Sequence, residues 1–226
     1  MKKYLLILLA ACCLLGGCGV NGQPVQPPEA PESVQDALPP EASARISPLP
    51  AAVDMAALGN CTVPVSIDEH GIYTDGSGKI MIQFTVYSYE LYDMVDIAAL
   101  KEGDIISHRG EDIVVSSVSR SDSGRVSING GLDVGGYELY SDESGVYYFV
   151  GYNDAKAYYA IGEAVFGVAE DFVFTDGMDF DNPPVSYTAP QLLDKNSGIF
   201  FHFVPHNTKL TVENGAITAL ERVYMP

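Results

Sequence analysis

The sequence predicts an all-β fold, an antiparallel sandwich or a partly open small barrel, rich in hairpins and carrying two or three short helices. Two observations carry that expectation. Ile80, Ile82, Phe84 and Val86 alternate with Met81, Gln83, Thr85 and Tyr87, the period of a strand with one buried face. A single turn chemistry then recurs along the chain. Asp75-Gly76-Ser77-Gly78, Ser121-Asp122-Ser123-Gly124, Asp142-Glu143-Ser144-Gly145 and Lys195-Asn196-Ser197-Gly198 all end in Ser-Gly. A type I turn that closes through a left-handed residue needs glycine there, and Asp, Asn or Ser side chains favour it by bonding the local backbone. These serines are read as turn formers, not nucleophiles. Glu213-Asn214-Gly215 is the two-residue version and suits a type I′ turn.

In chain order, the first ordered element expected is a short helix over 51–58, ended by Gly59. Val63–Tyr73 follows as a β-branched strand, and then comes the alternating run from Ile80. The stretch 92–102 predicts one or two helical turns with Asp93 or Asp96 as N-cap and Gly103 after the end. Strands are expected at Ile105–His108, Ile113–Ser119, Arg125–Ile128, Tyr137–Tyr140 and Val146–Tyr152, each rich in β-branched or aromatic residues and bounded by turn signals. Asp154 suits the cap of a second helix over 154–161. Ala164–Val168 and Phe172–Thr175 read as two strands, and 190–194 as a third, very short helix. Ile199–Val204, Lys209–Val212 and Ala216–Val223 complete the set. Residues 60–226 together have the size of a single β-rich domain with its own core, or of two very small ones.

The N-terminus carries an address. Lys2 and Lys3 precede an apolar run, Tyr4 to Leu15, of signal-peptide length and shorter than the roughly 20 residues of a membrane span. Leu15-Gly16-Gly17-Cys18 then resembles the lipobox of bacterial membrane lipoproteins. The resemblance implies that residues 1–17 are a signal peptide and that Cys18 becomes the acylated N-terminus. The domain would then stand on the extracytoplasmic side of the cell membrane, in the cell envelope. Two acyl chains at about 0.8 kcal/mol per buried CH₂ suffice to hold a soluble domain there. From Cys18 to Gly59 the chain reads as a tether: Pro24, Pro27, Pro28, Pro31, Pro39, Pro40, Pro48 and Pro50 punctuate a stretch almost free of β-branched and aromatic residues. In polyproline geometry, at about 3.1 Å per residue, it would reach on the order of 100 Å.

Composition narrows the function classes. Against 30 Asp and Glu stand 12 Lys and Arg, and loss of Lys2 and Lys3 with the signal takes the formal charge from −18 to −20. No basic run offers a footprint for nucleic acid, and an anionic lipid surface would repel the body of the protein. Attachment to the membrane is thus assigned to the lipid on Cys18. Cys12 and Cys13 leave with the signal, so Cys61 is the sole remaining thiol and reads as a small buried hydrophobe.

Three groups of residues could carry chemistry. His202 and His206 have the spacing of a helical zinc pair, but Phe200 to Pro205 is strand-like, and four residues along a strand separate the rings by about 13 Å. Asp176, Asp179 and Asp181 crowd one loop with Asn182, and hard oxygens in that density raise the expectation of a calcium site. Of 14 tyrosines, Tyr87 and Tyr89 share the face of one strand, and Tyr147, Tyr148, Tyr152, Tyr158 and Tyr159 cluster later, with no tryptophan anywhere. Exposed tyrosines stack on sugar rings or dock protein partners, so Tyr87 and Tyr89 are candidate ligand contacts for a cell-wall glycan or an envelope protein. The expected function is a lipid-anchored binding or interaction module rather than a catalyst. An exported hydrolase or envelope enzyme using Asp179 and Asp181 with Asp171 is the alternative, and a structural subunit that assembles through a sheet edge is the third reading.

Overall fold

The computed structural model describes residues 43–141, 143–194 and 202–225. The expected signal peptide, Cys18, the expected tether as far as residue 42, the turn expected at 195–198 and residues 199–201 of the strand expected at Ile199–Val204 lie outside them. In order, the chain forms β1 (Arg45–Ile46), a 3₁₀ turn (Met55–Asn60), β2 (Cys61–Ser66), β3 (Ile72–Thr74), β4 (Ile80–Ser88) and α1 (Met94–Ala99). There follow β5 (Ile105–His108), β6 (Glu111–Val114), β7 (Val118–Arg120), β8 (Val126–Ile128), β9 (Tyr137–Ser141) and β10 (Tyr147–Val150). The last elements are β11 (Tyr159–Gly177), β12 (Val185–Tyr187), α2 (Ala189–Leu192), β13 (Thr208–Glu213) and β14 (Ala216–Val223). The molecule is all-β with a few short helices.

One long strand sets the architecture. The 19-residue β11 pairs antiparallel with β4 over its first half, from Tyr159 opposite Ser88 to Gly167 opposite Met81. Over its second half it runs parallel to β14, from Gly167 beside Ala216 to Gly177 beside Val223. Because β14 pairs with β13, β13 with β2, and β2 with β4, this change of neighbour closes a barrel through β2, β4, β11, β14 and β13. The change of neighbour falls at Gly167, the last residue paired with β4 and the first beside β14, and the register shift between Val168 and Val173 is an irregularity within the β14 pairing. The two strands expected at Ala164–Val168 and Phe172–Thr175 are therefore one, since the acidic pair Glu170-Asp171 that divides them in sequence sits at that irregularity. The barrel interior holds Val63, Val65, Ile82, Phe84, Val86, Phe174, Leu210, Ile217 and Leu220, so the period of two read at β4 is the period of the core.

Between β4 and β11 the chain builds a second lobe. β10, β9, β8 and β7 form an antiparallel sheet in that order, and the hairpin β5–β6 and helix α1 pack with it. Its core is separate: Tyr92, Ile97, Leu100, Ile106, Ile128, Leu139 and Phe149. α1 begins where expected, with Asp93 accepting from the N–H of Val95 at 2.7 Å, and Arg120 reaches back to the carbonyls of Ile97 and Leu100 at its end. The turn glycines Gly78, Gly124 and Gly145 adopt φ of +88°, +81° and +78°, and Asn214 and Gly215 both lie at positive φ, as a type I′ hairpin requires. At the β8–β9 turn the demand is one of space: a Cβ on Gly136 would stand 2.3 Å from the carbonyl oxygen of Ile128. Gly136→Ala is expected to lower the thermal midpoint by roughly 5 °C, read by a thermal melt, because backbone and not a flexible side chain must yield.

Two expectations are corrected. Residues 43–59 are not free tether. β1 runs parallel beside β5, with Ile46 against Ile106 and only 5% exposed, and the N–H of Ile105 donates to the carbonyl of Ala44 at 2.9 Å. The N–H of Ala44 donates in turn to buried Asp104 at 2.8 Å, and Leu49 to the carbonyl of Leu91 at 2.7 Å. The strap then crosses to the barrel, where Asp54 caps the 3₁₀ turn and Leu58 enters the core. The open edge of β5 supplies unpaired backbone groups, so one apolar residue between prolines is enough to seat it. The helix expected over 154–161 is absent too. Asp154 ends a single 3₁₀ turn, Tyr152–Asp154, and the aromatic run Tyr158-Tyr159 enters β11 instead.

Candidate functional site

The three carboxylates expected to hold calcium are not gathered. Asp176, near the end of β11, lies beside Arg222 of β14 in parallel register, and the pair is buried, with side chains 14% and 5% exposed. Arg222 donates through Nε at 3.0 Å and Nη2 at 2.5 Å, one bond to each carboxylate oxygen. Its guanidinium also lies 4.7 Å from the centre of the Phe203 ring and 5.6 Å from that of Phe174. Asp179 closes its own loop, accepting from the N–H of Asp181 at 3.1 Å and from the amide of Asn182 at 2.8 Å. Among the described residues no group of three His, Cys, Asp or Glu side chains could hold a metal ion. His202 and His206 are both exposed, with His202 at φ 74° and off any strand. Cys61 is half-buried in β2, and burial pushes its thiol pKa up, away from a nucleophilic thiolate.

A second set has catalytic residue types but faces inward. Glu90 accepts from the Tyr92 hydroxyl at 2.8 Å and stands 2.7 Å from His108 Nδ1, and it also accepts from the N–H of Arg109. The His108 ring packs 4.1 Å from the centre of Phe149, and burial pushes its pKa down against the opposing pull of Glu90. This network braces the second lobe, and none of Glu90, Tyr92 and His108 lines the concavity described below.

A concavity of about 520 Å³ lies at the junction of the barrel and the second lobe. It is within the range of small-molecule sites, roughly 300–1,000 Å³. Tyr89, Tyr148, Lys156 and Tyr158 line it from the second lobe and its connections, and His206 and Lys209 from the barrel. Ala52 and Val53 of the strap complete the wall. β4 ends at Ser88, so Tyr89 no longer follows the strand but turns into an aromatic group, edge-on to Tyr158 at 5.5 Å and to Tyr148 at 6.2 Å. Lys156 Nζ stands 4.1 Å from the ring centre of Tyr89 and 4.6 Å from that of Tyr148, fixed by both π-faces. Burial and its neighbouring phenols push the Tyr158 pKa up to about 12, so it remains a hydroxyl donor. The other candidate, Tyr87, stays outside the cleft and bonds the Ser66 hydroxyl at 3.2 Å. A tyrosine cluster was visible in the sequence, but nothing there joined Lys156, His206 and Lys209 to it.

No protein-family model, curated protein or solved structure matches the chain, so the reading of this cleft rests on its own geometry.

Proposed function

We propose that the chain is a lipid-anchored binding module of the cell envelope, held to the membrane through acylated Cys18, with its ligand in the cleft between the barrel and the second lobe. The observation that carries this reading is the make-up of the cleft: tyrosines with phenol donors, one ammonium, Lys156, held over two rings, and a single lining carboxylate, Asp154, already paired with Arg125 at 2.5 Å. Such a surface offers contact area and hydrogen bonds at low entropic cost. Turnover by carboxylates is less well supported, because Asp179 is engaged in its own loop and Asp171 stands exposed on β11.

Two measurements test the two halves of the proposal. Cys18→Ser should abolish lipid labelling and shift the protein from the membrane fraction to the soluble one; unchanged labelling and retention would remove the anchor. The lipidated chain in detergent should retain solubilised envelope material, and Tyr89→Ala should reduce that retention about ten-fold at a temperature where a thermal melt shows the variant still folded. Retention unaffected by Tyr89→Ala would move the ligand away from the cleft.

A further inference from the structure

We infer that the cleft takes an acidic saccharide, a ring sugar bearing a carboxylate or a phosphate, with Lys156 and Lys209 receiving the anion and Tyr89 and Tyr158 the ring. This rests on the binding-module reading and adds the class of ligand. The first support is charge contrast. On a chain of formal charge −18, all five arginines of the described residues are engaged: Arg45 with Asp112, Arg125 with Glu138 and Asp154, Arg222 with Asp176, Arg120 with helix carbonyls and Arg109 with the carbonyls of Ala157 and Tyr158. Neither Lys156 nor Lys209 has a carboxylate within ion-pair distance among the described residues, and both face this one cleft. The one carboxylate that lines the cleft, Asp154, is paired with Arg125, and Glu221, opposite Lys209 in the β13–β14 register, lies outside the lining and makes no ion pair with Lys209, so the two ammonium groups are the cleft's charged groups left to meet an anion.

The second support is the arrangement around Lys156. Two tyrosine rings hold its ammonium, with Tyr148 as the buried positioning residue, so the charge is placed before any ligand arrives. An ammonium on a fixed stem binds carboxylate or phosphate as a point charge. Beside the Tyr89 face taken by Lys156, the half-buried Tyr89 and Tyr158 bring aromatic surface and phenol hydroxyls to the lining, a combination that suits the C–H groups and alcohols of a sugar. The third support excludes an extended peptide. On the barrel side the cleft is walled by Pro64 of β2 and Lys209 of β13, which are register partners inside the closed ring. No strand edge is open there for a peptide to join, so main-chain recognition by strand addition is blocked.

The test is calorimetric titration of the full lipidated chain in detergent with three probes: a uronic-acid trisaccharide, a hexose phosphate and a neutral hexose trisaccharide. At least one acidic probe should bind about ten-fold or more tighter than the neutral one, and whichever binds names the source of the anion. Lys156→Gln/Lys209→Gln should abolish that preference, whereas Lys156→Arg/Lys209→Arg should keep it, which separates lost charge from a lost fold. Equal binding of acidic and neutral probes, or wild-type affinity in the Gln variant, overturns the inference. Envelope material retained through the cleft with no acidic probe bound overturns the ligand class and leaves the binding module standing; a protein partner would give this result. Loss of envelope retention as well overturns both.

Discussion

A chain that begins at Asn60 is expected to unfold about 10 °C below one that begins at Gly19, while one that begins at Ser43 keeps the full midpoint. The two longer chains share the strap, and the shortest lacks it. Removing residues 43–59 exposes the pocket of Ile46 on the second lobe and that of Leu58 in the barrel, both side chains being 5% exposed. Each such aliphatic contributes on the order of 1.5–3 kcal/mol, and a domain of 150–250 residues loses roughly 2–4 °C per kcal/mol. Asp104, itself 1% exposed, also loses the N–H of Ala44 and keeps that of Lys101. The same truncation removes Ala52 and Val53 from the cleft wall, so ligand affinity should fall together with stability. Thermal melts of the three chains decide it. Identical midpoints would return the whole stretch to free tether.

That prediction reverses what the proline content alone suggests, and the reason separates what was legible in the sequence from what was not. Where a residue's structure depends on its sequence neighbours, the reading holds. Ile80 to Val86 alternates because one face of β4 is buried, Asp93 caps α1 through its own turn, and Gly78, Gly124, Gly145 and the pair Asn214-Gly215 adopt the conformations their turns demand. Where structure depends on a distant partner, it fails. Two residues of β1 have no pattern of their own and become a strand only because β5 offers an edge. The continuity of β11 is invisible because it changes partners midway, from β4 to β14.

The cleft follows the same division. Tyr87 and Tyr89 look equivalent in sequence, two apart on one strand face. β4 ends between them, so one bonds Ser66 while the other joins Tyr148 and Tyr158. Lys156 and Lys209 lie on different lobes, and only barrel closure and the return of the second lobe to β11 bring them to one concavity. The acidic loop misleads for a related reason. Asp176 sits amid carboxylates in sequence, but its partner Arg222 is 46 residues away and adjacent in the barrel.

Asp176→Ala is therefore expected to lower the thermal midpoint by on the order of 10 °C, with or without calcium. Arg222 is 4% exposed, and its guanidinium, among Phe174 and Phe203, would lose both bonds to Asp176. Removing one partner of a buried pair costs about 3–5 kcal/mol, because desolvation of the survivor is no longer offset. Replacing both should cost much less, so Asp176→Leu/Arg222→Met is expected to recover most of the loss, and a double-mutant cycle over the four proteins reads the coupling directly. Asp179→Asn/Asp181→Asn should stay near the wild-type midpoint, since those side chains bond only their own exposed loop. The same melts test the metal expectation. With both oxygens of Asp176 bonded to Arg222, millimolar calcium and magnesium should raise the wild-type midpoint equally, by screening a body of high negative charge. A larger shift with calcium that disappears in Asp179→Asn/Asp181→Asn would show that a cation draws the loop together after all.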